Sequence, residues 1–263
     1  MKKRLLALFT ALVLCFAFSA CGAPSSSTAA EDDLKYVNDK GSLVIGYTVY
    51  APMNFTDADG NFTGFDTELA EAVCAKLGLK PEFVEINWDT KETELAAKSI
   101  DCIWNGLTID EERKAAMAIT DPYVQNAQVV VMPANAEYTD TSSLIGKAVC
   151  AEAGSAGEKT IREDDNLKQA EYIAKDVQTS CLMEVAAGTS NAAVLDLTLA
   201  NAMIGAGTDY ANLEIKDRLA VEYYGVAFRK GSNICAEVNG IFAELVADGT
   251  MAALADKYNL DLA

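Results

Sequence analysis

The 263-residue sequence contains no histidine. That absence removes every catalytic triad that works through an imidazole and every zinc site that needs one. Cysteine occurs seven times, yet no two stand in a CxxC pair, so the usual dithiol redox motif is missing too. Basic residues are scarce: 21 lysines and arginines face 39 aspartates and glutamates, a formal net charge of −18. Such a surface repels phosphate backbones and argues against nucleic acid as a partner, although solubility alone accounts for the same acidity. No GK[ST] phosphate loop is present. The spacing of Asp57, Asp59, Asn61 and Glu68 imitates a calcium loop but places Phe62 where that loop needs glycine. The segment reads instead as a solvated hairpin around Asp59-Gly60. Neither a metal nor a cofactor is expected.

What is present is a globular composition, 51% hydrophobic, enough for one or two domains with real cores. The first 20 residues stand apart. Met1-Lys2-Lys3-Arg4 is basic, Leu5 to Ala20 is almost wholly apolar, and "FSAC" ends at Cys21. At about 16 residues the run is shorter than the roughly 20 a membrane-spanning helix needs, so residues 1–20 read as a signal peptide. An uncleaved anchor would leave the protein at the same membrane face. "FSAC" resembles the lipobox of bacterial lipoproteins, with Phe18 in place of the usual leucine, which implies lipidation of Cys21. The serine-rich "GAPSSSTAA" after it suits a flexible spacer, giving a linker over 21–35. The five remaining cysteines, 74, 102, 150, 181 and 235, are odd in number, so at least one is free or pairs between chains. A disulfide between Cys150 and Cys181 and a set of buried, inert thiols are both open readings.

Through the body, apolar strands alternate with helical periods, which indicates an α/β class with mostly parallel sheets. "LVIGY", "PEFVEI", "IDCIWN", "AVCAEA", "AEYIA" and "NAAVLD" read as strands, with helices between them and two more around Gly249. Phe65, Leu69, Val73 and Leu77 recur at helical spacing and stop at Gly78. The order describes two successive α/β units. The chain is expected to cross to a second lobe near Tyr123 to Ala127 and to return near Val221 to Tyr224, giving lobe 1 as 36–124 plus 225–263 and lobe 2 as 125–224. Two crossings form a hinge, and a ligand cleft lies where the strands of both lobes end.

Asp110 reads as a helix N-cap with Glu111 and Glu112 in the first turn, the charge order a helix dipole favours. Arg113 opposes that order. It either pairs with a neighbouring glutamate at the surface or grips an anion, and a guanidinium fork fits a carboxylate in a way a lysine cannot. Gly106 and Thr108 supply short polar groups nearby. Asp196 ends one strand and either caps the next helix or presents its carboxylate to an ammonium group, and both can hold. Ser155-Ala156-Gly157-Glu158 fits a capping box whose free N–H groups also suit anions. Glu152 just before it is either solvated or a recognition group for a basic side chain. Tyr47, Tyr50 and Trp88 stand at or beyond strand ends; each alone would suit a core, while three around one cleft suit the walls of a small-ligand site.

Together these pieces are similar to the solute-binding proteins of amino-acid ABC transporters, the two-lobed periplasmic-binding-protein type II family. Seven landmarks appear in order: "LVIGYTVYAPMNF", "DGNFTGFDTELAEAVCAKLG", "IDCIWNGLTIDEERK", "DPYV", "GKAVCAEAGS", "GTSNAAVLD" and "YYGVAFRKGS". The resemblance implies that Arg113 clamps the α-carboxylate of an amino acid and Asp196 takes its α-ammonium. Gly106 and Thr108 would contact the same groups, Tyr50 and Trp88 would sandwich the side chain, and Asn105 and Ser155 would line the pocket. Tyr47 stands where receptors of this family often carry aspartate, and Asn191 replaces a usual aspartate, so the side-chain preference departs from the pattern. Glu152 would compensate by facing a basic or amide side chain.

The expectation is a monomeric extracytoplasmic receptor, tethered to the membrane by lipid, that hands a free L-amino acid with a polar or basic side chain to an ABC permease without chemistry. Two other readings use the same residues. A cyclohexadienyl-dehydratase-like enzyme would use Glu152 as its general acid. A sensory or adhesive surface lipoprotein would need no transporter.

Overall fold

The computed structural model describes residues 32–263. The expected signal peptide, Cys21 and the serine-rich stretch after it lie outside the described residues. The chain opens with α1 (Asp33–Lys40), β1 (Ser42–Tyr47), the short hairpin β2 (Phe55–Thr56) and β3 (Phe62–Thr63), α2 (Phe65–Leu77) and β4 (Lys80–Glu85). A 3-10 turn at Trp88–Thr90 runs into α3 (Lys91–Ala96), followed by β5 (Cys102–Thr108), α4 (Glu111–Ala116), β6 (Ala118–Ile119) and β7 (Val124–Pro133). Then come β8 (Ala148–Glu152), α5 (Ala156–Glu163), β9 (Glu171–Lys175), α6 (Gln178–Ala187), β10 (Ala192–Asp196) and α7 (Leu197–Met203). The strand β11 (Leu213–Phe228) returns the chain to α8 (Ile234–Ala247) and α9 (Thr250–Tyr258). Because α1 starts at Asp33, residues 33–35, expected in the linker, are folded.

Local chemistry accounts for these boundaries. Gly78 closes α2 in the left-handed conformation, where its N–H reaches the carbonyls of Ala75 and Cys74. Asp57 accepts from the N–H groups of Asp59 and Asn61 and so turns the β2–β3 hairpin. Ser155 caps α5 by accepting from Glu158 N at 3.2 Å.

One nine-stranded sheet runs in the order β4-β1-β5-β11-β7-β10-β8-β9, with β6 alongside β11. At one end β1 pairs in parallel with β4 and β5; at the other β8 pairs in parallel with β9 and β10. Mostly parallel sheets were expected, and the two ends are parallel, but the centre is antiparallel. There β11 pairs with both β5 and β7, and β7 with β10. The cause is the crossing itself: β7 leaves the first half and β11 returns, so they run side by side in opposite directions. Their ladder slips between Ile215 and Asp217 and again between Arg218 and Ala220.

The largest core cluster spans both halves, reaching Cys150, Leu182 and Leu195, and a smaller one lies wholly in the second. Phe65, Leu69 and Val73 of α2 pack with Leu43, Trp104 and Phe228 in the first, while Val130, Val149, Ile161 and Val194 gather in the second. Cys150 and Cys181 are neighbours but not bonded: the Cys150 thiol lies 3.6 Å from the Cys181 carbonyl and 3.4 Å from that of Ala192. All five described cysteines are free, four of them buried and Cys235 partly exposed, so the disulfide reading gives way to free thiols. Burial pushes the Cys74 thiol up to about 12, which leaves it protonated and unreactive.

Candidate functional site

Between the halves, the end of β5 and the start of α4 face the loop after β8. Asp110 caps α4 by accepting from Arg113 N at 2.8 Å, and that cap sets the Arg113 side chain. The residue is only 7% exposed, so the surface ion pair is not what it makes. Its Nη1 donates to the Thr108 carbonyl at 2.8 Å and its Nη2 to the Gly154 carbonyl at 3.2 Å. Lys91, at the first residue of α3, donates to Gly154 O at 2.9 Å and to Trp88 O at 3.1 Å, with its ammonium 5.0 Å from the Trp88 ring centroid. Two cations from the first half thus converge on one carbonyl of the second. Gly154 adopts φ +70°, and a Cβ there would stand 3.0 Å from the Asp89 Cα, so a side chain would hold the halves apart.

Asp196 ends β10 at the head of α7 yet does not cap it. Its carboxylate is 5% exposed and accepts from amides instead: Asn126 at 2.7 Å and Gln128 at 2.5 Å on one oxygen, Gln178 on the other. The same Asn126 and Gln128 amides donate to Glu222 of β11 at 2.6 and 2.9 Å. Asn126 and Gln128 are two residues apart on β7 and therefore share a face. Thr108 Oγ1 closes the circuit, donating to Glu222 at 3.0 Å. A continuous chain of groups therefore runs from Arg113 through Thr108, Glu222 and Gln128 to Asp196. Burial, and next the charge on Asp196, raise the Glu222 carboxyl above its usual range.

Glu152, the last residue of β8, is 3% exposed, and its Oε1 finds no hydrogen-bond partner. Burial and the nearby Asp196 push its pKa up to about 8, against the opposing pull of Lys91. Lys91 moves the other way, down to about 8, because burial and the Arg113 charge disfavour its ammonium. Tyr50 completes the wall: its hydroxyl lies 2.5 Å from the hydroxyl of Tyr224 and also meets Thr198, and burial with the Asp196 charge raises its pKa well above the ordinary value.

The structure gathers Tyr50, Trp88, Thr108, Arg113, Glu152 and Asp196 around one interface, with Ser155 at its edge as the cap of α5. Gly106 belongs there for its lack of a side chain: a Cβ would stand 2.8 Å from the Tyr50 ring, and its N–H is taken by Asp66 at 2.7 Å. Two expected liners are elsewhere. Asn105 spends its amide on Thr48 O and Asn54 and its carbonyl on the N–H and hydroxyl of Thr48, tying β5 to β1. Tyr47 packs against Phe62 and Phe83, with ring centroids 4.8 and 6.4 Å away.

Lys91, Asn126, Gln128, Gln178, Thr198 and Glu222 did not emerge from the sequence. Polar residues two apart in the otherwise apolar "VQNAQVVVM" were a readable sign of a polar stripe within a sheet. Lys91 carried no such mark, since "DTKETE" reads as a solvated helix start.

This geometry sets buried donors of one half against carbonyl and carboxylate acceptors of the other. The chain is similar to the L-cystine-binding protein TcyJ of Escherichia coli, 29% identical over 241 residues covering 90% of each chain. It is 32% identical over 267 residues to the histidine-binding periplasmic protein of Salmonella typhimurium, covering 98% of this chain and 97% of that one. Among solved structures, the P235GK mutant of ArgBP from T. maritima superposes with a TM-score of 0.79 at 29% identity, covering 86% of this chain and 98% of that one. Residues 43–261 match the bacterial extracellular solute-binding proteins, family 3, and the chain belongs to that family.

Proposed function

We propose that this protein is an extracytoplasmic receptor that captures a free L-amino acid and presents it to an ABC importer. Arg113 grips the α-carboxylate with its fork, and Asp196, with Glu222 beside it, takes the α-ammonium. Tyr50 and Trp88 wall the side chain, and Glu152 faces it. The observation that carries this reading is the unbroken path from Arg113 to Asp196 across the two halves. A zwitterion placed between them engages a group on each side and so favours closure over opening. The lipid tether at Cys21, the permease partner and the monomeric state belong to the same proposal. They are supported by the lipobox-like leader and by membership of the family.

Calorimetric titration with a panel of amino acids tests the reading. Arg113→Ala should remove measurable binding of every one, because truncating one partner of a buried charge pair costs about 2–5 kcal/mol. Normal binding by that variant would end the assignment. The enzyme reading has one point in its favour, the buried Glu152, whose carboxyl burial pushes up to about 8. Turnover of a cyclic acid, lost in Glu152→Gln, would establish it.

A further inference from the structure

We propose that Lys91 selects the ligand, and that the ligand it selects carries a second carboxylate on its side chain. The inference rests on Arg113 as the grip on the first. Lys91 is 4% exposed. Its ammonium, held by two backbone carbonyls, keeps a third donor, and among the described residues no carboxylate lies within ion-pair distance of it. Glu92, Glu152 and Asp89 act on it only from beyond direct contact, and a buried ammonium with no carboxylate against it is costly, so a bound anion is what its free donor is suited to. An α-carboxylate already occupied by the guanidinium does not meet that need. The position of Lys91, over the Trp88 ring rather than along α4, belongs to the side-chain wall.

Glu152 supplies the second, independent observation. Its Oε1 is buried and unpartnered, and its charge is felt by Lys91. The side-chain end of the site therefore offers one cation and one carboxyl close together. An alkyl side chain would leave the third donor of Lys91 and the Oε1 of Glu152 unmet in a dry space. A guanidinium or ammonium side chain suits Glu152 but meets Lys91 as a like charge. A terminal carboxylate suits Lys91, and a terminal amino-acid head, carboxylate and ammonium together, suits both. The class is thus a dicarboxylic amino acid, and the double-headed members, such as cystine or diaminopimelate, fit best.

Titration of the intact protein with isosteric pairs isolates the second carboxylate: glutamate against glutamine, and cystine against S-methylcysteine. At least one carboxylate-bearing partner should bind tenfold or more tightly than its neutral counterpart. In Lys91→Met the ratio between the charged and the neutral partner should fall below about twofold, whatever the change in absolute affinity from losing the bond to Gly154, and Lys91→Arg should retain it. Preference for cystine without preference for glutamate would assign the double-headed class. Preference for both would assign a lone carboxylate as sufficient. A wild type without preference, or a Lys91→Met variant that keeps the preference or weakens every amino acid alike, would overturn the inference. Arg113→Ala separates the two levels. If it binds normally the amino-acid reading itself fails, whereas if it loses everything and Lys91→Met changes nothing, only the role of Lys91 falls. Methionine matches lysine in length and removes a buried charge, so the variant is expected to fold, and a melting curve checks it.

Discussion

At the scale of single residues, the site is governed by groups kept from water. Asp196 and Glu222 share two amide donors. Asp196→Asn keeps the shape but turns one acceptor into a donor facing Asn126 and Gln128, so amino-acid affinity should fall by 100-fold or more while the melting point drops by only a few degrees; titration and a thermal scan check both. Gly154→Ala forces an alanine into φ +70° and toward Asp89. The left-handed backbone costs an alanine about 1–2 kcal/mol in either state and should lower the melting point, while the clash with Asp89, which exists only when the halves meet, should weaken binding in addition. The residues legible in the sequence were those with two local marks. Arg113 opposed a helix dipole just after a cap, and Asp196 ended an apolar run. Lys91 had neither: its burial comes from Gly154, 63 positions along the chain, seated on it.

At the scale of elements, the expected strands and helices appear in the expected order, because caps and periodicity are short-range facts, while α1, β6, most of β7 and the first half of β11 were not among them. Gly78, Asp110 and Ser155 each end or start the helix they were expected to. Ser155→Ala removes the cap of α5 and should lower stability by about 1 kcal/mol, a few degrees in melting temperature. Amino-acid affinity in that variant should change little, since Ser155 turns its hydroxyl to Glu158. The antiparallel centre of the sheet was not legible, and the reason is physical. Whether neighbouring strands run together or opposed depends on where β7 and β11 meet, and those strands are separated by 79 residues, from Pro133 to Leu213. Asn105 illustrates the same limit within one strand. It lies one residue before Gly106, yet its side chain is spent on Thr48, just past β1, and on Asn54, groups that are distant in sequence.

At the scale of the whole molecule, buried acids set a pH signature. Glu152 rises to about 8 and Asp66 to about 7, both chiefly through burial. An acid with a higher pKa folded than unfolded holds its proton longer in the native state. Its contribution is therefore full below the unfolded value, near 4.5 or 3.8, and is lost as pH rises through the folded value. The ligand-free protein should melt several degrees higher at pH 5.5 than at pH 8 at constant salt, measured by differential scanning calorimetry. Glu152→Gln should flatten that slope. Lys91, lowered to about 8, acts in the opposite sense only above that pH. A slope of the other sign would show that these carboxyls ionise freely in the fold.

Both ends of the described chain sit on the same half. Asp33 of α1 is held by Arg229 at 3.0 Å, and Leu262 bridges Val124 while Asp261 accepts from Gln125 at 2.8 Å. An attachment at the amino end would therefore fix one leaf of a clamp and leave the other as its swinging arm. Occupancy would register as travel of the free leaf alone, so a dye on α6 would move with each capture while a dye on α9 kept its distance from the support.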